Sequence, residues 1–211
     1  MGDWDTGARR RRSRNTGGGE GFAADGPAPG SSVAADPEPD PASVARAIVL
    51  RQLTSSAKSR QQLSRKLAER NIPEDVAEAV LDRFQEVRLI DDAEFADMWV
   101  RSRSQSRKLA KGALRRELSD KGIDADTAAA ALEQLSDADE EAAARVLVEK
   151  KLRPGLDLSD RAERDRITRR LASMLARKGY QPAQAFRVVG EVLDARDGGH
   201  QAGHSGYSPD L

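Results

Sequence analysis

Two histidines, His200 and His204, are the only imidazoles in this 211-residue chain. Four residues apart on a helix, they would offer two nitrogens to one metal ion. Gly198, Gly199, Gly203 and Gly206 surround them, and glycine costs a helix interior about 1 kcal/mol relative to alanine. They are therefore expected to be incidental residues of a tail. The chain has no cysteine, so thiolate nucleophiles, thiolate metal sites and disulfides are excluded. No core histidine could serve a serine nucleophile. Gly17-Gly18-Gly19 lacks the preceding strand, following helix and basic-Ser/Thr pair of a phosphate loop. Asp91-Asp92 could hold a metal, yet helix capping accounts for both carboxylates, and no other ligand lies near in sequence. The sequence yields no catalytic residue, no metal ligand and no cofactor motif. It is expected to work by binding rather than as an enzyme.

Binding chemistry is present as charge. Residues 101–121 hold eight bases (Arg101, Arg103, Arg107, Lys108, Lys111, Arg115, Arg116 and Lys121) against two acids, Glu117 and Asp120. Residues 124–141 hold seven acids and no base. The blocks cancel to a formal net charge of zero, so any affinity for an anionic partner must rest on local patches. Some of these bases belong to solvated helix faces, and Lys121 has a structural role of its own, complementing a helix C-terminus. Arg107, Lys108, Lys111 and Arg115 would align if one helix ran through Gly112. The best candidates for a partner or DNA contact are Arg101, Arg103, Lys108, Lys111, Arg115 and Arg116.

The elements that must carry these residues repeat. Leu63, Leu67 and Ile72 recur as Leu114, Leu118 and Ile123, then as Leu171, Leu175 and Tyr180, the copies starting 51 and then 57 residues apart. A basic residue and then Asn or Gly precede the third apolar position each time: Arg70-Asn71, Lys121-Gly122, Lys178-Gly179. Asn or Gly suits the left-handed turn after a helix, and the base complements the helix dipole. Twelve residues on, an apolar position returns as Phe84, Leu135 and Val192. Ser59 with Gln62 forms a capping box, and Asp40-Pro41 supplies an N-cap and a proline at N1. Asp91 is placed to cap the next helix with Glu94 returning the bond, and Ile90 with Phe95 to form a hydrophobic staple. No segment alternates with the period of a strand. The fold class is all-α: an elongated tandem array of three three-helix repeats, at 43–90, 91–138 and 139–196.

Flanking these, 1–42 and 197–211 are rich in Gly, Pro, Ala, Asp and Ser and are expected to be disordered tails, the first carrying Arg9 to Arg12 and Arg14. No apolar run of 18 residues spans a membrane, and no signal core follows the N-terminal arginines, so a cytoplasmic monomer is expected. Only 4% of residues are aromatic. Phe95, Met98 and Trp99 fall at helical spacing and are expected to pack inside, which disfavours a base-stacking platform.

Leu89 to Phe95, Trp99 to Arg103, Lys111 to Leu118 and Lys121-Gly122-Ile123, with Ser59 to Leu67 before them and Leu175 to Tyr180 after, resemble the RecX family of recombinase regulators. The resemblance covers about 43–195 in the family's order and spacing. One departure is Asn71, where the pattern usually has Gly; the long N-terminal tail is no part of the family core. The resemblance implies an all-helical array of three-helix repeats that binds the RecA recombinase filament on DNA and damps its ATPase and strand-exchange activity. The alternative left by the residues alone is a sequence-independent nucleic-acid-binding array, using the basic block and the arginine tail for phosphate contacts.

Overall fold

The computed structural model describes residues 40–153, 158 and 160–202, with side chains described as far as residue 197. Within them the chain forms nine helices and no strand: α1 (Pro41–Ser55), α2 (Arg60–Ala68), α3 (Glu74–Glu86), α4 (Asp92–Arg107), α5 (Lys111–Asp120), α6 (Ala125–Leu132), α7 (Asp137–Lys151), α8 (Arg161–Arg177) and α9 (Pro182–Ala202). The arginines at 9–14 and His204 lie outside the described residues.

The helices pack in threes because each trio shares one apolar core. Val49, Leu63, Leu67, Leu81 and Phe84 fill the first; Phe95, Val100, Leu114, Leu118 and Leu132 the second; Val148, Leu171, Leu175, Val189 and Leu193 the third. The six repeated leucines are each 2% exposed or less, so the period read from the sequence is the period of burial. Removing one such side chain costs roughly 2–5 kcal/mol.

The four-then-five spacing has a local cause. After α2, α5 and α8 the chain enters the left-handed region at Asn71 (φ 56°), Gly122 (φ 78°) and Gly179 (φ 91°). The amides of Ile72, Ile123 and Tyr180 then donate five residues back to the carbonyls of Leu67, Leu118 and Leu175. This is the Schellman turn, whose 6→1 bond is sealed by an apolar contact between the same two residues. The invariant five is therefore the span of one helix-stop hydrogen bond.

The same turns join the repeats. Ser59 Oγ, at the head of α2, donates to the Lys121 carbonyl at 2.6 Å, and the Arg60 amide donates to Asp92 Oδ1 at 2.8 Å. One repeat along, the Ala110 amide at the head of α5 donates to the Lys178 carbonyl at 3.0 Å, and the Lys111 amide to the Glu140 carboxylate. So close is the approach that a Cβ on Gly179 would sit 2.6 Å from that of Ala113, and one on Gly122 would collide with the Gln61 side chain. Asn71, which closes the first repeat, is exposed. Glycine is demanded at 122 and 179 by packing as well as by φ; at 71 φ alone acts, and asparagine satisfies it.

Several details differ from the sequence expectation. Asp91 caps α4, accepting from the amides of Ala93 and Glu94 at 3.0 and 2.9 Å, but the Glu94 side chain does not return the bond. Ile90 packs into the first core and Phe95 into the second, so the pair divides two cores instead of stapling one helix entry. Leu135 lies beyond the end of α6, which has only eight residues, and is partly buried where Phe84 and Val192 are fully buried. Helix α9 continues to Ala202 through Gly198 and Gly199, inside the stretch expected to be a tail. A helix already nucleated on the third core extends one residue at a time, at a cost small beside that of starting.

Candidate functional site

The basic block is divided by a turn. Helix α4 ends at Arg107, Lys108 takes the left-handed conformation (φ 52°), and α5 begins only at Lys111. Arg107, Lys108, Lys111 and Arg115 therefore do not form one helical row. The third repeat holds this turn in place: Lys178 Nζ donates to the Arg107 carbonyl at 2.6 Å, and the buried Tyr180 hydroxyl to the Lys108 carbonyl at 3.1 Å. Burial also pushes the Tyr180 phenol well above its ordinary value, keeping it a donor. Lys178 thus grips a neighbouring repeat in addition to closing its own helix.

Two of the six candidate cations are engaged within the chain. Lys111 is bound by Asp137 at 3.0 Å as well as through its amide, so it belongs to the joint between repeats. Arg103 lies 3.7 Å from Glu117 and stacks 4.1 Å from the centre of the Trp99 ring. The other four, Arg101, Lys108, Arg115 and Arg116, make no ion pair among the described residues, and all but the half-buried Lys108 are exposed. Arg101 and Lys108 edge a cleft of about 460 Å³ that also takes in Leu109, Val146, Tyr180 and two acids, Asp139 and Glu140.

Trp99 organises the inner part of the block. Its indole N–H donates to Glu117 at 2.8 Å, Phe95 stacks on it at 5.8 Å, and Lys121 Nζ lies 3.9 Å from its centre. The ring is thus engaged by cations, an aromatic neighbour and a carboxylate, which accounts for its partial burial. Partial burial, aided by Arg103 and Lys58, lowers the Lys121 pKa. Phe95 is buried as expected, but Met98 is 42% exposed beside Leu89, contrary to the expectation that it packs inside.

Among the described residues no group of three or more His, Cys, Asp or Glu is placed to hold a metal, and no helix is long and apolar enough to cross a membrane. Asp91 and Asp92 have structural roles: the first caps α4, and the second receives the Arg60 amide, with burial raising its carboxyl above the ordinary value. His200 lies in the last turns of α9, where side chains are not described.

Counting charge along the sequence missed a second basic concentration. Lys150, Lys151 and Arg153 at the end of α7 and just beyond face Arg170 and Arg177 of α8 across a cleft. In the sequence these are diluted by Arg164, Arg166 and Arg169, which pair with Asp194, Glu163 and Asp165. The i, i+7 spacing of Arg170 and Arg177, opposite a Lys-Lys doublet, was the available signal.

Comparison with known proteins gives a consistent result. Residues 45–84 match the model described as RecX, first three-helix domain, and residues 91–132 that of RecX, second three-helix domain. The protein named Regulatory protein RecX in Streptomyces coelicolor is 50% identical over 179 residues, covering 83% of this chain and 92% of that one. Its namesake in Thermobifida fusca is 49% identical over 172 residues, covering 81% and 88%. The crystal structure of RecX from Lactobacillus salivarius superimposes with a TM-score of 0.63 at 23% identity, over 74% of this chain and 98% of that one, a likeness of fold.

Proposed function

The chain belongs to the RecX family of regulatory proteins, and from that premise we propose that it binds the filament of the RecA recombinase in the cytoplasm and damps its ATPase and strand exchange in DNA repair. It acts by occupying a surface, with no chemistry of its own. One observation carries this reading beyond family membership: Arg101, Lys108, Arg115 and Arg116 of the middle repeat make no ion pair among the described residues, while Arg103, Lys111, Lys121 and Lys178 are engaged within the chain. Cations outside any ion pair on a repeat flanked on both sides favour an acidic partner surface, steering its approach and fixing its register.

The test is recombinase ATPase on single-stranded DNA, titrated with this protein and with an Arg101, Lys108, Arg115, Arg116→Ala variant across a salt series. Lys111 is left intact because its loss would loosen the joint. The variant should retain full helicity, inhibit at higher concentration and show a flatter salt dependence. Inhibition equal to the parent's would place the contact elsewhere. Inhibition by the parent that disappears when DNA is replaced by a DNA-independent activator of the ATPase would favour plain DNA binding.

A further inference from the structure

From the geometry of the third repeat we infer a phosphate-binding cleft for the backbone of a nucleic-acid strand, formed by Lys150, Lys151, Arg153, Arg170 and Arg177. It goes beyond the filament reading, since it assigns a direct ligand to a part of the chain that the two matched family domains do not cover.

The cleft between α7 and α8 measures about 510 Å³. Its described lining is five cations over two apolar residues, Leu171 and Met174, with no acid among them. Leu171 is 2% exposed and anchors the floor to the third core, whereas all five cations are exposed at the rim. None of them makes an ion pair among the described residues. Glu163, the acid close enough to feel Arg170, is already held by two hydrogen bonds of 2.8 Å from Arg166. Elsewhere in the same repeat, bases do find acids: Arg145 and Arg187 share Glu141 and Glu191, and Arg164 binds Asp194. The five are therefore gathered unpaired round one cleft, in a repeat where Arg145, Arg164, Arg166, Arg169 and Arg187 are all paired. Like charges gathered round a concavity focus a positive potential into it and raise the local concentration of anions.

Its chemistry selects among anions. Long flexible cations, with no backbone-amide cradle among the described residues, suit diffuse phosphates along a strand better than one tightly enclosed ion. The described lining has no aromatic ring, so bases are not stacked there and sequence is not read. Recognition is by backbone charge, and its signature is salt dependence.

The experiment uses the full chain without recombinase, so its outcome is independent of the filament proposal. Binding of labelled oligothymidylate and of a labelled duplex is followed from about 50 to 200 mM salt for the parent and for a Lys150, Lys151, Arg170, Arg177→Ala variant. Losing four phosphate contacts should lower the slope of log K against log [salt] by about 3 on the single strand and by roughly 3.6 on the duplex. Over that fourfold range the parent's affinity should fall by an extra factor of about 50 and 150 respectively, and the variant should lack that extra fall. All four side chains are exposed, so helicity and thermal midpoint should be unchanged. An Arg115, Arg116→Ala variant should keep the parent's slope to within about two contacts. A third-repeat variant with the parent's slope overturns the inference, as does a parent that binds neither strand. Inorganic tripolyphosphate that displaces the strand as well as unlabelled strand does, at equal phosphate, would assign the cleft to free polyphosphate and overturn it too.

Discussion

Replacing Gly179 by asparagine separates two reasons for glycine that ordinarily travel together. Asparagine enters the left-handed region readily, as Asn71 does at φ 56°, so Gly179→Asn removes little conformational freedom that the turn needs. What it adds is a side chain against the backbone of Ala113, which cannot swing aside as a side-chain tip can. Overpacking of this kind costs about 1–3 kcal/mol. Gly179→Ala should cost more, roughly 2–5 kcal/mol, because the left-handed penalty of about 1–2 kcal/mol is added. Gly122→Asn should cost a similar amount, since Gln61 Cβ, fixed to its own backbone, would lie 2.4 Å from the added Cβ. Asn71→Gly, at an exposed position, should stay within about 1 kcal/mol of the parent, the turn's relief offsetting glycine's unfolded-state entropy. Urea unfolding by circular dichroism gives the ranking. Emission from Trp99, in a Trp4→Phe background, reports the middle repeat separately. For Gly179→Asn the two transitions should part, because weakening one joint lets adjoining repeats unfold independently. If Gly179→Asn is as neutral as Asn71→Gly, the close approach of α5 does not fix glycine at that turn.

Three further outcomes follow from particular contacts. Leu118→Ala, which empties the second core and strips the partner of Ile123, should lower stability by roughly 2–5 kcal/mol, read by calorimetry; an unchanged thermal midpoint would refute the buried stripe. Arg103→Ala and Lys121→Ala should each cost about 0.5–1 kcal/mol and alter Trp99 emission through loss of the stacked cation, whereas an unaltered spectrum would show that the ring is held without them. Acid should weaken the fold. Asp124 and Asp139 are held below the usual 3.8 by hydrogen bonds, and Glu163 below the usual 4.5 by Arg166, so the stability they add is present above those values and lost as pH falls below them. Half-buried Asp92 has a raised pKa, so its contribution is full below 3.8 and lost as pH rises. Asp92→Asn should therefore raise the melting temperature at pH 7 and leave it nearly unchanged below pH 3.8; equal effects at both would contradict this sign.

The fold was legible because its signals are local. A Schellman turn needs a helix end, a left-handed residue and an apolar pair five apart, and all of these lie within one short stretch of sequence. Leu67 and Ile72 therefore disclose their partnership without knowledge of any distant contact. The candidate surface was less legible for the opposite reason. Whether a base is available depends on acids brought to it by folding: Asp137 reaches Lys111 from α7, and Glu117 reaches Arg103 from α5. Counting charges along residues 101–121 treats these alike with Arg115 and Arg116, which are left unpaired. The Lys150 to Arg177 cleft was missed for the same reason, since its two walls lie on different helices. The helix break at Lys108 was also hidden, because the hydrogen bonds that hold it come from Lys178 and Tyr180, some 70 residues away.

The repeated joint also gives the array a polarity familiar from polymer growth. Each unit has a donor end, the head of its second helix, and an acceptor end, the left-handed turn closing that helix. Identical units would leave one donor and one acceptor unused at the extremities, and pairing of that head-to-tail kind does not close on itself, so separate molecules would string into fibres. Both extremities are altered. At the acceptor end Asn71 carries a side chain at the position where Gln61 and Ala113 close on Gly122 and Gly179. At the donor end α8 starts at Arg161, two turns ahead of Thr168, the position aligned with Arg60 and Lys111. The amides that would reach outward are there enclosed within the helix, and the Thr168 hydroxyl bonds back to the Arg164 carbonyl at 2.9 Å. The link that joins one repeat to the next is thus altered at both ends of the described array.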